Sequence, residues 1–335
     1  MDQGNELMDV KAKLKEMSAE LDAPIRSYIE DEAPENLISA CRQYPYAGGK
    51  RMRPCMVLAA CRAVGGDGQK AVPLAVAIEY IHNFTLIHDD LMDGDEKRRG
   101  MDTSHVVYGL PTAILAGDAL FAKAYDIIAD LDIPADDMRK VLKKVSVAVW
   151  DLARGQQMDV NNENSGTVSM DDYIETIRLK TSVLFAAGAA GGALIGGASD
   201  DVVEKVHEYA MNLGVAFQMF DDILGIYGDP EKTGKSAGND IRKGKSTVMV
   251  CHARENIKDK DTLDRFMSVF GKLDATDDEI EIARSILKES GSYDYAIEMA
   301  EKYTMDSIAC LDCLPDSEDK SFMKALAEYS MSRDV

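Results

Sequence analysis

Apolar residues recur at intervals of three and four through nearly every segment of this chain, while alternating, strand-like stretches are scarce. Val57-Leu58, Cys61 and Val64, and later Ile114-Leu115, Leu120-Phe121 and Ala124, show this helical spacing. The prolines Pro34, Pro73, Pro111, Pro134, Pro230 and Pro315 fall where helix starts or turns are expected. Ser169-Met170-Asp171-Asp172 reads as a helix start, with Ser169 as the N-cap and acids in the first turn. The predicted fold is all-α, with about a dozen helices or more. No Gly/Ser-rich or Pro-rich linker divides the 335 residues, so residues 1–335 are expected to form a single domain. Loops are expected near 161–168, 229–245 and 274–278.

Charge narrows the function. There are 38 Lys plus Arg against 59 Asp plus Glu, a net charge of −21. Such a surface repels nucleic acid and anionic lipid, so no nucleic-acid partner is expected. An anionic ligand would have to be met by local basic clusters or by bound cations. No apolar run reaches membrane-spanning length, and residues 1–30 lack the apolar core and cleavage site of a signal peptide; a cytoplasmic location is expected. The six cysteines are scattered and make no disulfide framework. Cys310 and Cys313 form a C-x-x-C with no further ligands nearby, and read as two small buried residues on one helix face rather than half a zinc site.

Two acidic clusters each close an apolar stretch. Asp89-Asp90-Leu91-Met92-Asp93 follows the apolar run 75–84, and on a helix Asp89 and Asp93 lie one turn apart on one face. Carboxylates that close repel each other unless a divalent cation lies between them, and oxygen-only ligands suit Mg²⁺. Lys97, Arg98, Arg99 and Gly100 follow at once, placing anion-binding groups beside the metal-binding ones. Phe217-Gln218-Met219-Phe220-Asp221-Asp222 repeats the theme, with Asp240 and the basic Lys235 and Lys245 downstream. Two such clusters suggest facing walls of one metal-filled cavity. A third basic element, Gly48-Gly49-Lys50-Arg51-Met52-Arg53-Pro54, combines glycines that let backbone approach a ligand with cations that can converge on it. Lys180-Thr181 sits amid apolar neighbours.

In this order, the segments resemble the trans-isoprenyl diphosphate synthases over roughly residues 40 to 335; Gly155-Gln156-Gln157-Met158-Asp159, Gly234-Lys235 and Gly244-Lys245 complete the set. The resemblance implies an all-α helical bundle around a central catalytic cavity, the isoprenoid synthase type, usually a homodimer. It implies that Lys50, Arg53, His82 and Arg99 bind isopentenyl diphosphate, and that Arg98, Lys180, Lys235 and Lys245 bind an allylic diphosphate (dimethylallyl, geranyl or farnesyl). Asp89, Asp93 and Asp221 would be the main ligands of about three Mg²⁺ ions, with Asp90, Asp222 and Asp240 assisting. Lys180, Thr181 and Gln218 would border the developing allylic cation. Many relatives carry a further Asp at the fifth position of the second motif, where this chain has Gly225.

The implied reaction joins isopentenyl diphosphate head-to-tail to the allylic substrate. Product length should depend on what lines the cavity beneath Asp89. Thr85 and Ile78 project on nearly the same helix face as Asp89. Phe84 lies off that face on an ideal wheel, and its role as a wall rests on resemblance to the aromatic that limits chain length in enzymes making the C20 product. A large Phe84 and a small Thr85 predict geranylgeranyl diphosphate, with farnesyl or longer products as alternatives. A class I terpene cyclase would not need the second diphosphate site that Lys50, Arg53 and Arg99 supply, and a non-catalytic synthase subunit typically loses one aspartate cluster, whereas this chain keeps both.

Overall fold

The computed structural model describes residues 8–165, 167–228 and 238–331. Helices follow one another almost without interruption: α1 (Val10–Ser27), α2 (Glu35–Ala47), α3 (Met52–Ala63), α4 (Gly68–Met92), α5 (Ser104–Tyr108), α6 (Leu110–Ala129), α7 (Ala135–Ser165), α8 (Met170–Ile177), α9 (Val183–Ile195) and α10 (Asp200–Tyr227). Further helices span Asn239–Arg242, Val248–Asn256, Lys260–Met267, Asp277–Glu289, Ser292–Ala309 and Glu318–Met331. Among the described residues the strands are two short ones, β1 (Lys97–Arg98) and β2 (Met101–Asp102), paired antiparallel with Lys97 opposite Asp102. The all-α expectation holds.

The chain forms two compact units. The first comprises Met1–Val149, Leu184–His207 and Asp312–Ala325; the second comprises Trp150–Val183, Glu208–Leu311 and Leu326–Val335. Each is assembled from three separated stretches, and two of the changeovers fall inside α7 and α10, so no linker marks them.

In the first unit, Asp9 caps α1 by accepting from the Ala12 amide at 3.1 Å, and Val10, Leu14, Met17, Leu21 and Ile25 form its buried stripe. Asp67 caps α4 through the Gln69 amide at 3.0 Å. From Leu74 to Ile81 every residue of α4 is buried, because α3 and α6 cover it on different sides. This burial also explains Pro73. It stands five residues inside α4 rather than at a helix start. The Asp67 cap and the buried apolar run outweigh the one backbone hydrogen bond that a proline removes.

The close packing of α9 on α3 rests on glycine. A Cβ at Gly192 would lie 2.2 Å from the Val57 carbonyl oxygen, and one at Gly188, a turn earlier, 3.1 Å from a Val57 methyl. Backbone cannot yield as a flexible side chain can.

In the second unit, Ser169 caps α8 as expected, accepting from the Asp172 amide at 3.1 Å. Thr276 and Glu279 form a reciprocal capping box at the start of Asp277–Glu289. The core gathers Tyr173, Ile177, Met219, Phe220, Ile223, Val248 and Phe266. The three expected loops are shorter than foreseen, and Asp277–Glu289 takes in the end of the expected 274–278 loop. Residues 161–165 continue α7, and Asn239–Arg242 forms a helical turn within the expected 229–245 loop, while 229–237 lie outside the described residues. The six cysteines are free, but the C-x-x-C does not share a buried face: Cys310 is buried and Cys313, at the end of a short 3₁₀ turn, is exposed.

Gly192→Ala is expected to cost about 1–3 kcal/mol, the usual penalty for forcing a methyl group into a full interior. Urea unfolding of the variant against wild type reads this directly; an unchanged midpoint would show that α9 can shift away from Val57 freely.

Candidate active site

In the first unit, the basic loop between α2 and α3 turns on positive-φ residues: Gly48 (φ 79°), Gly49 (φ 152°) and, as the residue that opens α3, Arg51 (φ 46°). Arg51 is buried. It donates to the Ser18 carbonyl at 3.1 Å and pairs with Asp22, so it fastens the loop to α1 rather than facing a ligand. Its neighbour Lys50 is exposed. Arg99, itself left-handed at φ 52°, donates from Nη1 to the Gly48 carbonyl at 2.5 Å. A side chain at Gly49 would collide with that guanidinium, its Cβ falling 2.7 Å from Nη1. The glycines therefore bring the two basic elements together.

Arg53 stacks on the Phe185 ring, 4.3 Å from its centroid, and its Nη1 lies 3.5 Å from His82 Nε2. A guanidinium can only donate, so Nε2 accepts and the imidazole is neutral. Burial, then the charges of Arg53 and Arg99, hold His82 well below its ordinary pKa. Glu79, buried one turn before Asn83, accepts from its amide at 3.1 Å. Burial pushes the Glu79 carboxyl up, against the pull of Asn83 and of Arg51, Arg53 and Arg99.

The first aspartate pair ends α4, where the Asp93 amide donates to the Asp89 carbonyl at 2.8 Å. Asp89 is partly exposed and Asp93 exposed. Asp90, expected among the metal ligands, is turned inward at 1% exposure. Arg98 Nε reaches its Oδ1 and Oδ2 at 2.7 and 2.8 Å, Arg98 Nη2 reaches Oδ1 at 2.5 Å, and the Tyr44 hydroxyl donates to Oδ2. Its oxygens are thus committed to protein donors. His88 turns to α6, with Nε2 on the Ile114 carbonyl at 3.2 Å. Phe84 packs edge-on against Phe121 of α6, with ring centroids 5.4 Å apart, and the Thr85 hydroxyl donates back to the His82 carbonyl at 2.7 Å.

In the second unit the helix from α8 passes through a π-helical turn at Arg178–Ser182 before α9 begins. Two glycines let neighbouring helices close on it. A Cβ at Gly155 would lie 2.4 Å from the Lys180 amide nitrogen, and one at Gly214 would lie 2.6 Å from Ser182. Lys180 pairs with Asp159 at 2.6 Å, one turn beyond Gly155. The Thr181 hydroxyl donates to Gln218 Oε1 at 3.0 Å, and Gln218 Nε2 passes the chain on to Asp222 Oδ1 at 3.1 Å. Of the three residues expected beside an allylic cation, Lys180 and Thr181 thus lie in the π-turn, and Gln218 of α10 is hydrogen-bonded to it through Thr181.

Asp222, like Asp90, was expected to assist a metal and is instead 1% exposed. Tyr173 donates to its Oδ2 at 2.8 Å and Lys245 to its Oδ1 at 2.8 Å. Burial depresses the Lys245 pKa, but Asp222 and Asp240 outweigh it and the net shift is upward, keeping the amine charged. Asp221 remains partly exposed. Gly225 has a steric role: a Cβ there would sit 2.2 Å from Asp240 Oδ2, so the missing side chain makes room for the Asp240 carboxylate. Lys235 lies outside the described residues. Among the described residues no three His, Cys, Asp or Glu side chains are gathered into one metal-sized group. Sequence reasoning missed Tyr44, Tyr173 and Asp159 as members of these networks; only the last had a signal, its place one turn after Gly155 in a motif.

An all-helical chain with two aspartate pairs and glycine-shaped basic loops defines the isoprenoid-synthase class of fold. The family profile described as "Polyprenyl synthetase" matches residues 34–287, and the chain belongs to that family. It is 40% identical over 329 residues to the geranylgeranyl diphosphate synthase of Methanosarcina mazei, covering 98% of this chain and 99% of that one. It is also 40% identical over 307 residues to the geranylfarnesyl diphosphate synthase of Aeropyrum pernix, covering 90% and 95%. The crystal structure of geranylgeranyl pyrophosphate synthetase from Pyrococcus horikoshii superposes with a TM-score of 0.93 at 40% identity, covering 97% of this chain and 99% of that one.

The His82 shift makes stability depend on acid. Unfolded, the imidazole takes up a proton below about pH 6.5, and the folded state refuses it. Stability from this group is therefore complete above about pH 6.5 and falls as the pH drops below it. His82→Gln should flatten this part of the acid limb in urea unfolding between about pH 7.5 and 5.5, a window that straddles the ordinary histidine value; an unaltered slope would mean that His82 titrates normally in the folded protein.

Proposed function

We propose that this polyprenyl synthetase condenses isopentenyl diphosphate head-to-tail with allylic diphosphates and releases its product mainly as the C20 compound, geranylgeranyl diphosphate. The observation that carries the reading is the shared build of the two aspartate pairs. In each, the first aspartate stays accessible while the second is buried on a cation of the same unit, Arg98 or Lys245. An accessible carboxylate beside a fixed cation suits a metal–diphosphate complex.

The donor chemistry fits Mg²⁺. Asp89, Asp93, Asp221 and Asp240 offer oxygen only, and Mg²⁺ is commonly held by one or two carboxylates, with water and substrate phosphates completing its shell. When bound, the metal neutralises negative charge on the departing diphosphate. The protein's own residues do the rest. Lys50, Arg53, Arg99 and neutral His82 take isopentenyl diphosphate; Arg98, Lys180, Lys235 and Lys245 are assigned to the allylic diphosphate. Cations aimed at charge that grows as the allylic C–O bond breaks lower that barrier. Thr181, Gln218 and the π-turn at Lys180 present oxygen dipoles to the allylic carbon as it becomes positive. The isopentenyl double bond then forms the new C–C bond, and the proton lost in restoring the alkene goes to the diphosphate.

Product length is where the relatives diverge, since a geranylgeranyl and a geranylfarnesyl diphosphate synthase are each 40% identical to this chain. Phe84 favours C20. Its ring packs edge-on against Phe121 and His88, which favours one orientation of the wall that a chain growing along α4 would meet.

No helix among the described residues is long and apolar enough to cross a membrane. We place the protein in the cytoplasm, which suits its charge-rich surface. We also propose a homodimer. On α5 and α6, Val106, Val107, Leu110, Ile114, Leu115 and Phe121 are 38–55% exposed, an apolar face of the kind that symmetric subunits cover. Leu115→Glu should convert a dimer to monomers in sedimentation; a wild-type monomer, or a variant that still dimerises, removes this face from consideration.

The reaction itself is tested by chromatography of dephosphorylated products, made with Mg²⁺, labelled isopentenyl diphosphate and C5, C10 or C15 primers. Wild type should give a C20 alcohol and Phe84→Ala a longer one. A wild type that stops at C15, with Phe84→Ala unchanged, discards the chain-length argument and keeps the enzyme class. Absence of elongation from every primer discards the class.

A further inference from the structure

The aspartate pairs share a third partner to which the reading above gives no role. Asp90 accepts from Tyr44, which is 3% exposed on α2. Asp222 accepts from Tyr173, which is 3% exposed on α8. Different helices in different units thus supply the same combination: a buried tyrosine, a buried aspartate and a cation. In each the hydroxyl lies on Oδ2, while Oδ1 carries the cation, Arg98 Nη2 at 2.5 Å or Lys245 Nζ at 2.8 Å.

The combination has a physical logic. A carboxylate removed from water is tolerable only when its lone pairs are satisfied and its charge is paired. A lysine or arginine alone on such a group could swing with it about the aspartate side-chain torsions. A hydroxyl anchored on a second helix blocks that rotation. Arg98 then commits its Nε and Nη2 edge to Asp90, which leaves the Nη1 donors for a phosphate. Burial, reinforced by Asp90 at Tyr44 and by Asp222 at Tyr173, pushes the phenol pKa up, so each stays a donor throughout the range in which the protein works.

We propose that Tyr44 and Tyr173 are positioning residues: by holding Asp90 and Asp222 still, each fixes the cation of its own unit, Arg98 or Lys245, in the orientation in which it meets a phosphate. This rests on the assignment of those two cations to the allylic diphosphate. Neither tyrosine touches substrate in this scheme, and each acts through its aspartate.

The test uses full-length Tyr44→Phe and Tyr173→Phe, which keep the ring and lose only the hydroxyl. Farnesyl diphosphate is titrated into each protein in the presence of a chelator, without isopentenyl diphosphate, so that neither turnover nor metal enters the measurement. Each variant should bind it about tenfold more weakly than wild type, the loss expected when a hydrogen bond to a charged group is removed. Steady-state assays should show the same rise in KM for the allylic substrate, with KM for isopentenyl diphosphate and the Mg²⁺ dependence within about twofold of wild type. Tyr→Phe variants that bind farnesyl diphosphate like wild type overturn the proposal. So does a uniform rise in both KM values that follows a fall in Tm, since that marks a structural role only, and so does a raised Mg²⁺ requirement with unchanged allylic binding. Wild type that neither binds nor elongates allylic diphosphates overturns the assignment of the site itself, an outcome distinct from altered variants of an active enzyme.

Discussion

Removing an aspartate from water at the end of an apolar helix is costly, and this protein does it twice. Asp90 and Asp222 are each 1% exposed, yet each carries a charge-assisted bond from a basic residue and a tyrosine hydroxyl. The mutual attraction of such a pair roughly offsets its desolvation only when geometry is good and every lone pair is used. That requirement fixes more than the carboxylates. Tyr44 ties α2 to α4, Tyr173 ties α8 to α10, and Arg98 and Lys245 pin the connections that follow each helix. With the second aspartate turned inward, the first points about 100° away from it around the helix and stays partly exposed.

Glycine supplies the other half of the precision. Three close approaches put backbone or side chains where a Cβ would otherwise be: Gly49 under Arg99, Gly155 under the Lys180 amide, and Gly225 under Asp240. None of the three residues has a side chain to offer a ligand. Each determines where a charged neighbour can sit. The glycine at position 225 thus has a structural consequence, since a carboxylate from another segment occupies the space a side chain would take. At Gly155 the contact is with backbone, which cannot yield, while at Gly49 and Gly225 the missing side chain makes room for a charged one.

The sequence made legible what repeats along it. The 3.6-residue period predicted helices, Ser169 with two following acids predicted a cap, and an apolar run ending in two aspartates predicted a site at a helix terminus. Details decided by distant partners were not legible. Tyr44 lies 46 positions from Asp90, and Tyr173 lies 49 from Asp222, with nothing local to connect them. The π-turn depends on glycines in α7 and α10, and Pro73 is tolerated inside α4 because α3 and α6 cover that helix. Arg51 reads from sequence like its neighbours Lys50 and Arg53, and only its left-handed backbone and the carbonyls around it reveal that it faces the core.

The net charge of −21 takes on a different meaning beside this architecture. At physiological ionic strength, exposed charges are screened beyond about 8 Å, so a diphosphate near the site responds to the nearest groups rather than to the total. Those groups are nearly balanced internally. Arg98 is paired with Asp90, Lys180 with Asp159 and Lys245 with Asp222. A cation already paired with a carboxylate attracts an anion less than a bare one. It is, however, fixed in place and partly desolvated in advance, so little ordering remains to be done when a ligand arrives. An acidic protein can therefore receive polyanionic substrates without accumulating a basic surface, and divalent cations add to the attraction. Two accessible aspartates near the ends of two helices are what such an arrangement calls for.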